Sequence, residues 1–465
     1  MADRPTRSPH RMTQEEADGG SADPFSPLTI RSLRLPNRFI KAATHTGSTF
    51  DELATQYCRM ARHGCALLTC AYMAVSPVDK TFDNQLHIDD ANVAQWRELC
   101  ARVRKAGGHL SAQLHHPGLF CMSARGVPKG PSFFYLPSKL AWPHVLSVAD
   151  LEQIKAQYVR AALLCVSAGF SALELHAGHG YLLSQFLTPL LNRRTDGYGG
   201  RRPEDRARFP AAVLEAVRRA VGPSLPIFVK MNVDDGLPWY RGAGGLHADE
   251  AVAVARIFAA SGADAIVPSY GYTSLNGFGM LRGDVPLGAM ANAMPHVVAS
   301  LMLRLLGWLL VPSLPYSSAF LRESARRFVT ALAGSGCEVI YVGGADSLES
   351  VRAVLALGCC AVQIGRPLIR EPWYVRKLER CAAAAAASRS VGDTLGEARA
   401  LVQSRSTCVR CNQCTLAAID PLRFPAGCPH LEAGEGRDFG DMEDLVGVAH
   451  APRSRPTVAD GGRAP

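Results

Sequence analysis

The sequence predicts an α/β protein built as a single TIM (β/α)8 barrel, and three observations point there. Eight short β-rich apolar runs are spaced along the chain, amphipathic helical stretches separate them, and several runs are apolar at nearly every position. Such alternation is the pattern of βα units around a parallel sheet, whose strands are covered on both faces. The runs lie at residues 39–43, 66–72, 109–115, 172–176, 227–232, 265–267, 339–343 and 361–365. Between the third and fourth, Ser147 with Asp150 forms a capping-box pattern, and Leu151, Ile154, Tyr158, Ala161, Ala162 and Cys165 follow at helical spacing. Residues 247–260 lack an N-cap side chain but place Asp249 and Glu250 in the first turn, where negative charge suits the helix dipole. The long gap between the sixth and seventh strands holds an apolar helical insertion at 294–312. The alanine run 382–387 favours helix and carries no chemistry of its own. The expected organisation is a disordered tail over 1–24, the barrel over 25–400, a Cys-containing extension over 401–432 and a disordered tail over 433–465.

Composition narrows the function classes. The chain has 465 residues, 48% of them hydrophobic, enough to bury a large core. Its net charge of +9 is scattered rather than packed into runs, which favours small anionic ligands over nucleic acid. The first residues mix Arg4, Arg7 and Arg11 with Glu15, Glu16 and Asp18 around no apolar core, unlike a secretory signal or transit peptide. Fourteen cysteines in such a chain point to reduced thiols and a cytoplasmic location. The 294–312 run is broken by Arg304 and ended by Pro312, short of about 18 uninterrupted apolar residues, so it reads as a buried or interfacial helix with scope for peripheral membrane or homo-oligomer contact.

A TIM barrel collects its functional groups at the C-terminal ends of its strands, with a phosphate site commonly in the loops after strands seven and eight. Here those loops read Gly343-Gly344-Ala345 and Gly365-Arg366-Pro367: glycines let backbone N–H groups approach a phosphate, and Arg366 adds a charged donor. The end of strand four reads Glu174-Leu-His176-Ala-Gly-His179-Gly-Tyr181. Two imidazoles three residues apart can converge on one acceptor oxygen, and the tyrosine can donate a proton. Two plainer readings stand beside this: satisfied core histidines, and a zinc site completed by His115 and His116. The chain has neither a G-x-G-x-x-G run nor a P-loop, so a nicotinamide donor has no dedicated nucleotide domain and must visit the barrel mouth.

The segment 172–200, ALELHAGHGYLLSQFLTPLLNRRTDGYGG, closely resembles the signature of the Old Yellow Enzyme family of NAD(P)H:flavin oxidoreductases, which includes the barrel of bacterial 2,4-dienoyl-CoA reductases. NRFIKAA at 37–43, QLHHPG at 113–118, VGG at 342–344 and IGRPL at 364–368 support it, in the family's order over about residues 25–430. The resemblance implies an FMN-dependent ene-reductase that passes hydride from NAD(P)H through flavin N5 to the β-carbon of an α,β-unsaturated carbonyl compound. By position it assigns Ala43 and Thr44 to the flavin ring, Gln113 to its pyrimidine edge, Lys230 to N1 and O2, and Gly343, Gly344, Gly365 and Arg366 to the phosphate. It assigns His176 and His179 to the substrate's carbonyl oxygen and Tyr181 to proton donation. His45 stands where many relatives have Cys or Thr, Lys230 replaces the usual Arg, and Tyr72 occupies the place of a small residue.

Cys408-x-x-Cys411-x-x-Cys414 with Cys428 resembles the [4Fe–4S] ligands of the dienoyl-CoA reductase branch, with the third interval one residue shorter; structural zinc and unligated thiols are the other readings. Two rival functions remain at this stage: a flavin-free barrel serving as a binding or scaffold protein through the 294–312 helix, and a barrel enzyme that binds a phosphorylated substrate directly.

Overall fold

Eight parallel strands close into a barrel in which neighbours in sequence are neighbours in space. They are β1 (Phe39–Lys41), β2 (Leu67–Ala74), β3 (His109–His115), β4 (Ala172–Ala177), β5 (Ile227–Asn232), β6 (Ala265–Ser269), β7 (Glu338–Val342) and β8 (Ala361–Ile364). β8 pairs with β1 to complete the circle, Val362 opposite Phe39 and Ile364 opposite Lys41. This computed structural model describes residues 23–432 except 136–140, 238–243, 294–296, 312, 421–422 and 425; the tails expected at 1–24 and 433–465 lie outside it, apart from residues 23 and 24. All eight expected runs are strands, with ends shifted by one or two residues at most. β2 differs most. It runs on to Ala74, and its register against β3 slips between Cys70 and Met73. A bulge of this kind re-aims the side chains within it, and Tyr72 sits there.

The helices, in chain order, are α1 (Phe50–Arg62), α2 (Val93–Lys105), α3 (Val148–Ala168), α4 (Leu182–Leu187), α5 (Pro203–Val221), α6 (Ala248–Ala260), α7 (Thr273–Leu281), α8 (Leu287–Ala293), α9 (Val297–Leu310), α10 (Arg322–Leu332), α11 (Leu348–Leu355), α12 (Arg366–Arg370), α13 (Tyr374–Ser390) and α14 (Thr394–Gln403). Their starts follow local chemistry. Ser147 and Asp150 close the expected capping box on α3, Thr49 and Glu52 close one on α1, and Pro203 opens α5 with its fixed φ. α6 starts at His247 without a side-chain cap and relies on Asp249 and Glu250 in its first turn.

The N-terminal end of the barrel is sealed. A two-stranded ribbon, Leu28–Ile30 against Leu33–Leu35, packs its leucines and isoleucine onto Ile40, Leu67, Phe228 and Val267 inside the barrel. Only the C-terminal mouth remains for a ligand. The insertion between β6 and β7 folds as α7, α8 and α9 beside that mouth; the expected helix at 294–312 is α9, with 294–296 and 312 outside the described residues. It is not buried: Val297, Leu301, Leu305, Trp308 and Leu309 face outward. Among the described residues no helix is long and apolar enough to cross a membrane.

The segment expected as an extension beyond residue 400 packs against the barrel. After α14 the chain turns back over the mouth, where the Ser406 N–H donates to the Asp346 carbonyl at 2.8 Å. Further on, Ala417 lies so close to Gly47 (φ 64°) that a Cβ on that glycine would stand 2.2 Å from the Ala417 oxygen.

Candidate active site

A cavity of about 360 Å³ opens at the C-terminal mouth. Every residue expected at a flavin or catalytic position lines it: Ala43, Thr44, His45, Tyr72, Gln113, His176, His179, Tyr181, Lys230, Gly343, Gly344, Gly365 and Arg366. The rest of the wall comes from segments without a sequence signal, including Ser269 at the end of β6, Thr273 and Phe278 of α7, Met290 of α8 and Arg410 of the returning segment.

The turn after β4 is built around His179. That residue takes a left-handed conformation (φ 59°), uncommon for any residue but glycine, although histidine tolerates it better than most. It is held there by its neighbours: the His179 N–H donates to Asn232 Oδ1 at 3.0 Å, and Asn232 is fixed in turn by bonds from Nδ2 to Asp235 (2.7 Å) and to the Gly271 carbonyl (2.9 Å). Gly180 has to be glycine, because a Cβ there would meet the Tyr272 ring at 2.2 Å. The two imidazoles do not point side by side at an empty seat, as the sequence suggested. His176 Nε2 and His179 Nδ1 face each other at 3.2 Å, and His179 Nε2 meets Ser269 Oγ at 2.6 Å. His176 Nδ1 accepts from the Gly178 N–H at 3.3 Å, which leaves its proton on Nε2.

Burial keeps these rings neutral: it pulls His179 down to about 3 and His176 well below the ordinary histidine range, with nearby Lys230 adding to both. Tyr181 packs against His115, His176 and Tyr72 at ring separations of 4.5, 4.9 and 5.4 Å. Its hydroxyl is pushed up by burial and pulled back by hydrogen bonds from the side chains of Tyr72, Thr273 and Thr81, so it is a phenol at neutral pH. Tyr72, aimed inward by the β2 bulge, is therefore more than a narrowing of the pocket.

Below these groups the barrel interior holds a buried polar network. Lys230 Nζ lies 2.9 Å from Glu174 Oε1 and donates to Gln363 at 2.8 Å, while Gln363 and Gln113 both donate to the Glu174 carboxylate. Lys41 bonds Thr44 Oγ1 at 2.9 Å, and burial lowers it to about 8. At neutral pH two ammonium groups thus face one carboxylate, leaving one positive charge in excess where an anionic ring would lie. Glu174 and Gln363 were missed as site residues; the legible signals were a carboxylate two residues before His176 in an otherwise apolar strand and a lone glutamine in β8.

At the opposite wall Gly343 (φ 129°) and Gly344 (φ 80°) turn the backbone with positive φ, and a Cβ on Gly365 would meet nothing nearer than Thr44 at 3.8 Å. Arg366 donates from Nη1 to the Arg282 carbonyl (2.8 Å) and to Asn412 (2.6 Å). Arg410 pairs with Asp346, cancelling the one carboxylate beside these loops, and its guanidinium stacks 3.8 Å from the Tyr316 ring centre.

Residues 23–260 match the NADH:flavin oxidoreductase / NADH oxidase family. The 4,4'-dithiodibutanoate disulfide reductase of Rhodococcus erythropolis is 33% identical over 398 residues, covering 84% of this chain and 91% of that protein. This chain belongs to the NADH:flavin oxidoreductase / NADH oxidase family. An NADPH dehydrogenase of Clostridium acetobutylicum is 31% identical over 240 residues, covering 50% of this flavin oxidoreductase and 69% of the relative. Among solved structures, morphinone reductase matches with a TM-score of 0.57 at 24% identity, covering 78% of this chain and 91% of that one. A 2-naphthoyl-CoA reductase matches with a TM-score of 0.63 at 18% identity over 86% of this chain, which spans 58% of that protein. Likeness at such identity speaks to the fold.

The thiol cluster behaves differently. Cys408, Cys411, Cys414 and Cys428 line one small cavity with His430, whose Nε2 is 3.4 Å from Cys411 Sγ. Burial raises Cys414 to about 12. Among the described residues no three His, Cys, Asp or Glu groups are gathered closely enough to hold one metal ion. The His115–His116 zinc reading meets the same obstacle: His116 turns toward Asp79 (3.7 Å) and His115 toward Tyr72 and Tyr181.

The buried imidazoles make the flavin oxidoreductase acid-labile. Burial holds His45 at about 4 and His179 at about 3, and keeps His115 and His176 well below the ordinary histidine value of about 6.5, so the unfolded chain binds protons that the folded one refuses. Each of the four then costs about 1.4 kcal/mol of stability per pH unit below that value. Asp235, raised to about 6 by burial, works the other way and offsets one of them. Urea-unfolding midpoints measured from pH 7 downward should fall steadily once pH drops below the ordinary histidine range; a flat profile would show the rings are not buried neutral.

Proposed function

We propose that this chain is an FMN-dependent NAD(P)H oxidoreductase that reduces the carbon–carbon double bond of α,β-unsaturated carbonyl compounds. The observation that carries the reading is the chain His176–His179–Ser269 beside the phenol of Tyr181 on one cavity wall. The excess buried cation and the open glycine loops fit a flavin phosphate: Gln113 and Lys230 would hold the ring, Ala43, Thr44, His45 and Tyr72 would border it, and Gly343, Gly344, Gly365 and Arg366 would take the phosphate. When bound, FMN supplies a two-electron carrier that accepts hydride from a reduced nicotinamide and delivers it to the acceptor.

The histidine pair is a two-state device. As it stands, His176 Nε2–H donates to His179 Nδ1, and His179 Nε2–H donates to Ser269 Oγ. If the Ser269 hydroxyl turns and donates instead, His179 can give up its Nε2 proton and take one on Nδ1 from water in the open cavity before the acceptor enters, and two N–H donors then converge on a shared acceptor lying to one side of the 3.2 Å gap. A carbonyl oxygen is such an acceptor, and it gains negative charge as the double bond is reduced. Tyr181 gives its proton to the α-carbon, and Tyr72, bonded to Tyr181, is placed to restore it. Ser269 is thus a positioning residue. Ser269→Ala should weaken binding of a phenolic ligand about tenfold, one hydrogen bond's worth, and Ser269→Thr should restore it; equal affinity in all three proteins would remove the serine from the mechanism.

The overall reading is tested by isolating the protein and asking for yellow flavin absorbance bleached by dithionite, then for oxidation of NADH and NADPH driven by a panel of enones and an enoyl-CoA. Protein that cannot be loaded with FMN, or that ignores every enone, overturns it. The panel includes 4,4'-dithiodibutanoate because of the Rhodococcus relative; turnover of that disulfide alone would redirect the acceptor class while keeping the flavin site. No electron transfer is routed through Cys408, Cys411, Cys414 or Cys428, which do not meet around one ion.

A further inference from the structure

Among the described residues, the Lys, Arg, Asp and Glu side chains that line the active-site cavity are Lys230, Asp346, Arg366 and Arg410. Lys230 lies on the cavity floor with Glu174; the other three stand beside the glycine loops. Arg366 follows β8 and bonds neutral oxygens, the Arg282 carbonyl and Asn412 Oδ1. Asp346 lies two residues after Gly344, and its carboxylate alone would cancel Arg366 and repel an anion. Arg410 reverses that balance. Its guanidinium pairs with Asp346 and stacks 3.8 Å from the Tyr316 ring centre, while the Tyr316 hydroxyl donates to the Gly344 carbonyl at 3.3 Å. Two guanidinium groups against one carboxylate leave this end of the cavity with a single positive charge.

Holding Arg410 there strains the chain. Arg410 (φ 62°) and Asn412 (φ 58°) both occupy the left-handed region, which is unfavourable for residues other than glycine. Their neighbours fix both. The Asp284 N–H donates to the Arg410 carbonyl at 3.2 Å, and Asn412 Nδ2 donates to the Asp284 carbonyl at 2.9 Å. Gly283 lets the two segments approach, since a Cβ there would stand 2.7 Å from the Arg410 oxygen. Backbone strain held by several separate contacts is a mark of side chains needed at a set place.

We infer that Arg410 is a phosphate-binding residue, whose guanidinium joins that of Arg366 on the phosphate monoester of FMN. This rests on the flavin reading proposed above and brings the Cys-bearing segment into the cofactor site. A phosphate monoester carries about 1.5 to 2 negative charges at neutral pH, more than Arg366 could meet with Asp346 beside it. A guanidinium presents five N–H donors in a fixed fork, so Arg410 can keep one edge on Asp346 and offer another to phosphate oxygens. The coupling is reciprocal: as far as the segment tightens phosphate binding, bound phosphate holds the segment on the barrel.

The experiment titrates full-length, flavin-free protein into FMN and into riboflavin, which lacks only the phosphate, and follows quenching of flavin fluorescence. Wild-type protein binds FMN more tightly than riboflavin. Arg410→Ala weakens FMN binding about 30-fold, the worth of one charge-assisted hydrogen bond, and changes riboflavin binding less than twofold. Arg410→Gln keeps a polar arm beside Tyr316, gives the same pattern, and serves if the alanine variant fails to fold. With FMN saturating, the ratio of Michaelis constants for NADPH and NADH stays at its wild-type value. The inference is overturned if FMN binding is unchanged in a folded variant, or if both flavins weaken alike. It is equally overturned if the effect falls on NADPH alone, which would give the arginine to the donor's 2′-phosphate. Wild-type protein that binds neither flavin defeats the flavin reading and this inference with it, a result distinct from the other three.

Discussion

His179→Ala should lower turnover of an enone by about 10²–10³-fold at saturating acceptor. The substitution removes one of the two N–H donors aimed at the oxygen that gains charge, and loss of one such donor in a dry site costs about 3 kcal/mol in the transition state. The site is dry: both imidazoles are buried, and burial holds His179 at about 3, so neither ring changes protonation across the neutral range. The loss should therefore be the same at pH 6 and pH 8, which separates a missing hydrogen bond from a missing charge. His176→Ala should cost a similar amount, and the double variant little more than either alone, because the two rings act on one oxygen. Binding of a phenolic ligand, followed by the change in flavin absorbance, should weaken in step. Unchanged enone turnover in both single variants would dismiss the pair from catalysis.

Tyr181→Phe should slow the step in which the acceptor is reduced by about 10²-fold or more, the usual contribution of a positioned proton donor, while leaving reduction of the protein by NADH or NADPH near the wild-type rate. Rapid mixing separates the two half-reactions, and equal loss in both would mean the residue serves packing instead. The asymmetry follows from chemistry: the nicotinamide gives up hydride without needing a proton, whereas the reduced double bond needs one at its α-carbon. Tyr72 complicates the outcome in a useful way, since its hydroxyl already bonds Tyr181. Tyr72→Phe should reproduce a small part of the defect, and the doubly substituted protein should match Tyr181→Phe.

The barrel was legible because its strands are short and apolar throughout, a pattern set by burial on both faces that a single chain displays directly. That His176, His179 and Tyr181 would stand together at the cavity was legible for a related reason: two histidines and a tyrosine at the end of one strand have few structural uses. What could not be read was which partner each ring would choose. The bond between His176 and His179 depends on the left-handed backbone at His179, held by Asn232 from a strand 53 residues away. Ser269 and Thr273 are ordinary hydroxyls in sequence, and only barrel closure brings them to the site. Tyr72 was noticed as an oversized residue, but its inward aim comes from a register slip in β2 that leaves no compositional trace. The cysteines gave the opposite lesson. Their spacing suggested a ligand set, whereas the segment carrying them serves as one wall of the cavity, through Cys408, Arg410 and Cys414.

That wall also fixes the order in which the protein can be made. Strand β1 supplies Ala43 and Thr44 early in synthesis, yet the same cavity is closed by Thr415, Leu416 and Ala418, almost 400 residues later in the chain. A nascent polypeptide on the ribosome can complete the turn that carries His176 and His179 long before the chamber beside it is closed. A chain cut short between the end of α14 at Gln403 and Thr415 keeps all eight strands and His176 and His179, but leaves the chamber open on the side that Thr415, Leu416 and Ala418 close.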